Sequence, residues 1–485
     1  MSISSALSSA LSGLSAASRM ADVAASNVSN ALTEGYARRE VELAARSLDK
    51  GSGGVSVTGT VRQIDTLLLQ DLRLSSSGQG ARTTVSDFLA HIESAMGTAD
   101  QDGSLSSRIA TFERAVVEAA ARPESEARLA SVVYAAQSLS QGMAEIAETI
   151  QSERQIADKR IASDVKLLND SLSGVAELNI RIRGFTAAGR DASALMDQRQ
   201  LLVDKISTIV PMREVLREHN QLALYTSGGT SLLEGRPAVI AFSPTGLITP
   251  DMTLDPGSLS ALFINGQPLS TSPAGGRLGE GRLSALFDVR DHLAPEAQAN
   301  LDALARDLIE RVSGPAVDPT LAVGAAGFFT DRGTAFNASE EVGLAGRLQV
   351  NALVVPESGG ALWRLRDGLG AVSAGPDGFA ARLTALSAAL GERRPQLSGG
   401  LSAGARSLSG FAADLTSAQS VKRLSAESST AFASARSTTL RSALLRDGVD
   451  TDQEMQNLLL IEQAYAANAK VVQTADEMIK ILLGL

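Results

Sequence analysis

Both ends of this chain carry an apolar seam of the coiled-coil type, and that feature constrains the fold more than any other. Near the N-terminus apolar or small residues recur at Ile3, Leu7, Ala10, Leu14, Ala17, Ala21, Ala24 and Val28, in alternating steps of four and three. Near the C-terminus Leu458, Ile461, Tyr465, Asn468, Val472, Ala475, Ile479 and Leu482 advance the same way. Such steps return to one side of a helix every two turns, so each segment has one face to bury. Asn468 is the polar member of its seam, and a buried Asn there sets register. Leu459 and Leu460 form a second apolar ridge beside it. Two matching faces satisfy each other, so the terminal segments are expected to pack as coaxial helices, each on the order of 45 Å long at about 1.5 Å per residue. Thr451 and Glu454 have the spacing of a capping box at the start of the second helix.

The N-terminal helix is intrinsically weak. Ten of the first thirty residues are Ser, and Gly13 in mid-helix costs about 1 kcal/mol relative to Ala. An isolated helix of this kind is marginal in water. Both terminal segments are therefore expected to be largely disordered in the free monomer, zipping together only among neighbouring copies.

Between the ends, Arg39–Ala44 and Val55–Val61 read as extended runs separated by Gly51, Gly53 and Gly54. Helix is expected over Asp65–Met96, over Ser104–Ala121, and from Pro123-Glu124-Ser125-Glu126 to about Phe185. The seam of that long helix is Leu129, Val132, Ala136, Leu139, Met143, Ile146 and Ile150, resuming at Ile161, Val165, Leu168, Leu172 and Val175. The polar stretch Gln151–Arg160 reads as a solvated span or a register shift. Another helix, Ala192–Val210, ends at Pro211. Short apolar runs at Gln221–Thr226, Ser231–Glu234, Pro237–Phe242 and Ser260–Ile264, punctuated by Gly, Pro and Asn-Gly, have β-hairpin chemistry. Helix is expected again at Pro295–Val312, about 378–392 and about 402–446. The fold class is mainly α with an inserted β domain: coaxial N- and C-terminal coiled-coil helices, a long-helix bundle and a small outer β domain. The expected organisation is nested. Residues 1–60 with 447–485 form a terminal-helix polymerisation domain, 61–211 with 287–446 a helical rod domain, 212–286 an inserted β domain, and 314–376 an irregular region.

Known chemistries find little support. The net charge of −10 argues against a nucleic-acid partner, which asks for a basic surface. With no Cys, disulfides, thiolate metal sites and Cys nucleophiles are excluded. No apolar run approaches the roughly 18 residues of a membrane helix. The first cation is Arg19, so a cleavable signal peptide with a basic start is not expected. His91, His219 and His292 lack ligand spacing, and His91 reads as a surface residue. Asp100-x-Asp102-Gly103 lacks the twelfth-position Glu of a calcium loop and reads as the turn before a helix at Ser104. Gly51–Gly54 lies between strands, unlike a phosphate-binding loop, and Gly-x-Ser-x-Gly is absent. Trp363 reads as a packing residue. Arg38-Arg39 reads as a solvated pair, with contact to an acidic neighbouring subunit as the alternative. No catalytic, cofactor-binding or metal residues are expected, and no enzyme.

Ser26-Asn27-Val28-Ser29-Asn30-Ala31-Leu32-Thr33-Glu34-Gly35-Tyr36 resembles the N-terminal motif of the bacterial flagellar rod, hook and hook-associated proteins, with Glu34 in place of the usual Pro and Ser29 in place of Ala. The run from Glu462 to Met478 is similar to the C-terminal motif of the same family. Within it, Leu195-Met196-Asp197-Gln198-Arg199-Gln200-Leu201-Leu202 and Arg347–Pro356 resemble segments of the hook-associated branch. The resemblance implies a structural subunit at the junction of hook and filament, in the extracellular flagellum, exported through the flagellar type III apparatus. It implies self-assembly into a ring or helical layer, with hook protein on one side and a second junction protein toward the filament. A cytoplasmic export chaperone would hold the C-terminal helix, with Leu459, Leu460, Ile461, Val472 and Ile479 as its candidate contacts. The sixteen seam residues are then the candidate polymer interface. The alternatives are a hook or distal-rod subunit of the same family, and a secreted flagellum-associated hydrolase; the latter would need a carboxylate or His constellation in 212–376, where none is seen.

Overall fold

The N-terminal seam forms helix α1 (Ile3–Ser29) in a computed structural model that describes residues 3–48, 51–255, 257–272, 275–401, 404–446 and 448–484. The expected terminal spans therefore include Met1, Ser2, Asp447 and Leu485, and the last expected body helix Ser402 and Ala403, which lie outside the described residues. A turn over 30–35 leads into an antiparallel hairpin, β1 (Arg39–Leu48) and β2 (Gly51–Arg62). Helix α2 (Thr66–Met96) starts at Asp65, whose carboxylate accepts from the Leu67 and Leu68 amides at 3.0 and 2.9 Å. The acidic turn before α3 (Leu105–Ala121) ends in Ser104, whose hydroxyl caps the helix by accepting from Ser107 N. Helix α4 (Glu126–Ala187) runs for 62 residues, and α5 (Ser193–Ile209) returns along it.

The β module has two small antiparallel sheets. One holds β3 (Met212–Leu216), β4 (Leu222–Thr226), β5 (Ser231–Glu234) and β6 (Arg236–Pro237); the other holds β7 (Ile240–Ala241), β8 (Leu262–Ile264) and β9 (Gln267–Leu269). Asn265 and Gly266 close the β8–β9 turn, both at positive φ, which is why that dipeptide signals a hairpin. The next helix begins earlier than expected: α6 (Arg282–Asp288), a wide turn at Val289–Leu293, and α7 (Ala294–Val312) form one continuous run. Pro295 reads as a start, but its ring would crowd the carbonyl four residues back, Asp291, and that residue lies in the wide turn.

Residues 314–376 hold a two-stranded pair, β10 (Phe329–Asp331) with β11 (Leu348–Val350), short 3-10 turns between 338 and 358, and one short α-helix, α8 (Trp363–Asp367). They nonetheless supply core. Phe328 and Phe329 are fully buried and meet Phe112 of α3 at ring distances of 6.0 and 5.6 Å. Helix α9 (Ala381–Gly391) and the short pair β12 (Arg394–Pro395) and β13 (Ala405–Arg406) precede two long helices, α10 (Leu408–Arg446) and α11 (Thr451–Leu483). One apolar core runs from α2 through the β module to α10.

The polar stretch of α4 is not solvated, and the seam crosses it with the expected register shift, Ile146–Ile150–Arg154 and Ala157–Ile161–Val165 each taking two successive steps of four. Ile150, Arg154, Ala157 and Ile161 are all buried. Arg154 donates to the carbonyls of Arg290, Thr249 and Met252 at 2.9, 3.1 and 2.8 Å. Asp158 accepts from Arg290 at 2.8 Å and from Thr245 N at 2.7 Å. The seam thus continues in polar form where α4 meets the loops of the β module. Groups so buried stay charged only when each is paired and hydrogen-bonded. Among the described residues no helix is long and apolar enough to cross a membrane.

Candidate functional site: the terminal helix pair and its joint

Helices α1 and α11 lie antiparallel on each other. Asn27 of α1 meets Glu454 of α11, and Gly13 meets Asn468, where a β-carbon on the glycine would fall 2.7 Å from the carboxamide oxygen. Gly13 therefore sits in mid-helix because Asn468 occupies the space a side chain would need. The pairing exists within a single copy, where the sequence reading had it form only among neighbours. The difference lies in the joint described below, which ties both helices to the body.

The seam faces inward unevenly. Ala10, Ala17, Ala24 and Ala475 are buried; Ile3, Leu7, Leu14, Ala21, Val28, Leu458, Ile461, Asn468, Val472 and Ile479 are half-covered; Tyr465 and Leu482 are exposed. Of the candidate chaperone contacts, Leu459 and Leu460 are exposed, whereas Ile461, Val472 and Ile479 are half-buried. Leu11, Val471, Met478 and Ile481 add to the exposed apolar surface of the pair. The hairpin β1–β2 covers one side of α1, with Val55 N donating to Ser12 Oγ at 3.1 Å, and another side of the pair is left as a groove of about 540 Å³ between Ala17–Asp22 and Met455–Tyr465.

The joint is polar. The buried Asn27 donates to Arg39 O at 2.9 Å and to Glu454 Oε2 at 3.2 Å, while its Oδ1 accepts from Arg39 N at 3.0 Å and Tyr36 Oη at 2.8 Å. Arg38 Nε donates to the other oxygen of the buried Glu454 at 2.7 Å. Arg39 lies over the Tyr36 ring at 4.8 Å and reaches Asp197 of α5 at 2.8 Å. Arg62 of β2 pairs with Asp197 at 2.7 Å and donates to Gln200 at 2.9 Å. Gly35, at φ 78°, turns the chain against Leu201 of α5, leaving no room for a β-carbon. Arg199 donates to Asn179 and to the Asn220 carbonyl at 2.8 and 2.6 Å. Burial, then the charge of Arg62, lowers its pKa to about 10. Burial also lowers Arg62, with Asp197 opposing the shift.

Arg38 and Arg39 are thus half-buried partners of two carboxylates of their own chain, not a solvated pair. Nor is Thr451 the cap of α11. Asp450 accepts from Asp452 N and Gln453 N, leaving Glu454 for Arg38. His91 is exposed beside Glu153 at 2.9 Å, and Trp363 is half-buried under Arg364. Among the described residues no three metal-ligating side chains gather. Sequence reasoning missed Arg62, Asp197 and Glu454 as one cluster, although Asp197 and Asn27 stand inside the motifs it quoted.

Three family models match separate parts of the chain: the flagella basal body rod protein over 7–36, the flagellar hook-associated protein FlgK helical domain over 89–314, and the flagellar basal body rod FlgEFG protein C-terminal segment over 442–485. All three are segments of the flagellar rod, hook and hook-associated family. Each of the three family segments contributes to the joint: Asn27 and Tyr36 from the first, Asp197 from the second, Glu454 from the third. Among the family's curated members, flagellar hook-associated protein 1 of Salmonella typhimurium is 26% identical over 243 residues, covering 49% of this chain and 44% of that protein. Its namesake in Bacillus subtilis is 28% identical over 240 residues, 47% of either chain. The chain spans about half the length of the curated relatives it matches. A solved flagellar hook junction protein FlgK from Burkholderia pseudomallei aligns at 19% identity with a TM-score of 0.45, over 54% of this chain and 46% of that one.

Proposed function

We propose that this chain is a structural, non-enzymatic subunit of the junction between flagellar hook and filament, and that the terminal helix pair is its polymerisation element. The observation that carries the reading is the apolar surface left bare on that pair while its base is locked to the body. Leu11, Leu459, Leu460, Tyr465, Ile481 and Leu482 are exposed on the two helices, beyond the cover that the hairpin β1–β2 gives α1. Burying each such Leu or Ile between copies contributes about 1.5–3 kcal/mol, offset by ordering costs. The half-covered seam residues then complete their burial in the assembly. The partners of this reading are further copies in a ring or helical layer, hook protein below, a second junction protein above, and an export chaperone on the Leu459–Leu460 ridge before assembly. In this reading the subunit is exported through the flagellar type III apparatus and works outside the cell. The helical-domain match and the 62-residue α4 favour the hook-associated branch over the strand-dominated hook or distal-rod proteins.

The test is deletion of residues 456–485. The truncated chain is expected to remain a folded, soluble monomer with an unchanged body, and to fail to join hook to filament in motile cells. A working junction built from the truncated chain would remove the terminal pair from the mechanism.

A further inference from the structure

Along its middle, beyond Gln419, helix α10 carries its larger apolar side chains on the side away from its neighbour α2. Its face on α2 is made of Arg423, Ala426, Thr430, Ala433 and Ser437, small or polar residues in steps of three and four that are buried or half-buried. On the opposite side Val421, Leu424 and Phe432 are 63%, 54% and 75% exposed. Arg436, one turn beyond Phe432 on that side, is also exposed and has no carboxylate partner among the described residues. In a chain of net charge −10, a bare aromatic beside an unpaired arginine calls for an acidic, apolar complement.

The same molecule presents one. The groove on the terminal pair has Ala21, Leu458, Leu459 and Tyr465 along it, with Asp22 and Glu462 at its sides. Both carboxylates are exposed and neither forms an ion pair among the described residues. We propose that the outer face of α10 of one copy seats in the terminal-pair groove of the next. Phe432 lies among Leu458, Leu459 and Tyr465, and Arg436 faces Asp22 and Glu462. This rests on the self-assembly reading above and names the surfaces that perform it. Because stripe and groove are different surfaces, the contact is head-to-tail, and it propagates into a ring or a helical row instead of stopping at a dimer.

The experiment uses the full chain with two double variants, each checked for unchanged circular dichroism. One removes the stripe, Phe432→Ser with Arg436→Ser; the other removes the groove, Asp22→Arg with Glu462→Arg. In sedimentation velocity the unmodified chain is expected to associate in a concentration- and salt-dependent way, and each variant alone to associate more than tenfold more weakly. An equimolar mixture is expected to form a 1:1 dimer that grows no further, since the groove variant keeps its stripe and the stripe variant its groove. The chain has no cysteine, so a Ser18→Cys, Ala435→Cys double variant adds an independent readout: a disulfide ladder between copies. Growth of either variant alone to the unmodified extent, or a mixture that stays monomeric, overturns the proposal and leaves the function intact. Failure of the unmodified chain to associate at any concentration overturns both.

Discussion

The seam of α4 and the seams of α1 and α11 share one periodicity and reach different ends. Along α4 the seam residues Leu129 to Val175 are all buried, because α3, α5, α7 and the β module cover them. On the terminal pair only four alanines of the sixteen seam positions are buried, and the larger residues keep part of their surface in water. Spacing tells which side of a helix needs cover. The number of elements arriving there decides whether that side becomes a core or an interface. In the body even Arg154 and Asp158 fill seam positions or their neighbours, since enough partners converge to satisfy them. In the terminal pair the equivalent effort is concentrated at one end, on Asn27 and Glu454.

The sharpest way to break this comparison is Arg290→Ala. It leaves Asp158 buried without its guanidinium, and removing one partner of a buried pair costs about 3–5 kcal/mol. A large fall in the denaturant midpoint is expected, with amide exchange in α1 and α11 changed only when the body unfolds. Glu454→Ala should show the reverse pattern. Arg38 and Asn27 lose their acceptor, a local cost of about 1–3 kcal/mol. Exchange in both terminal helices is expected to quicken while the melting of the body stays in place; a body that melts early would mean the joint belongs to the core.

Gly13→Ala separates helix propensity from packing. In an isolated peptide of residues 3–29 the change favours helix by about 1 kcal/mol. In the chain it displaces the Asn468 carboxamide, which donates to Ala464 O at 2.8 Å. Helicity of the peptide should rise while exchange protection at the matching level of α11 falls. The effect that touches the terminal pair least concerns pH. Burial pushes the Asp302 carboxyl up to about 6, although the Gly343 and Ala345 amides donate to it at 2.7 and 2.8 Å. Its folded value lies above its ordinary 3.8, so the folded chain holds this proton longer. The contribution of this group to stability is present below about pH 4 and declines as pH rises toward about 6. The melting difference between the unmodified chain and Asp302→Asn should therefore change across that window, with terminal-helix exchange showing no matching step.

Much of this architecture is legible in the residues. Periodicity located α1, α4 and α11 to within a few positions, and Asn-Gly marked the β8–β9 turn. The failures have a common cause. Pro295 looked like a beginning because the wide turn that accommodates it leaves no mark on local periodicity. Gln151–Arg160 looked wet because its satisfying carbonyls, at Thr249 and Met252, lie about a hundred residues away. Arg39 and Asp197 are equally remote in sequence, so neither charge pattern nor propensity brings them together. The family motifs held Asn27, Tyr36 and Asp197 in view, yet only the folded chain shows them to be parts of one cluster. For the terminal faces, the sequence displayed the apolar residues but not which of them another helix would cover.

The position of the joint at one end of the terminal pair makes that pair a lever. Helix α1 has 27 residues and is about 40 Å long at about 1.5 Å per residue. A rotation of about 10° at Asn27 and Glu454 would carry the far tip through about 7 Å, more than one helical turn. Small differences in how Arg38 and Asp197 hold the base are thus magnified into different angles at the tip, so one short cluster of side chains sets the pitch at which the whole arm leaves the body.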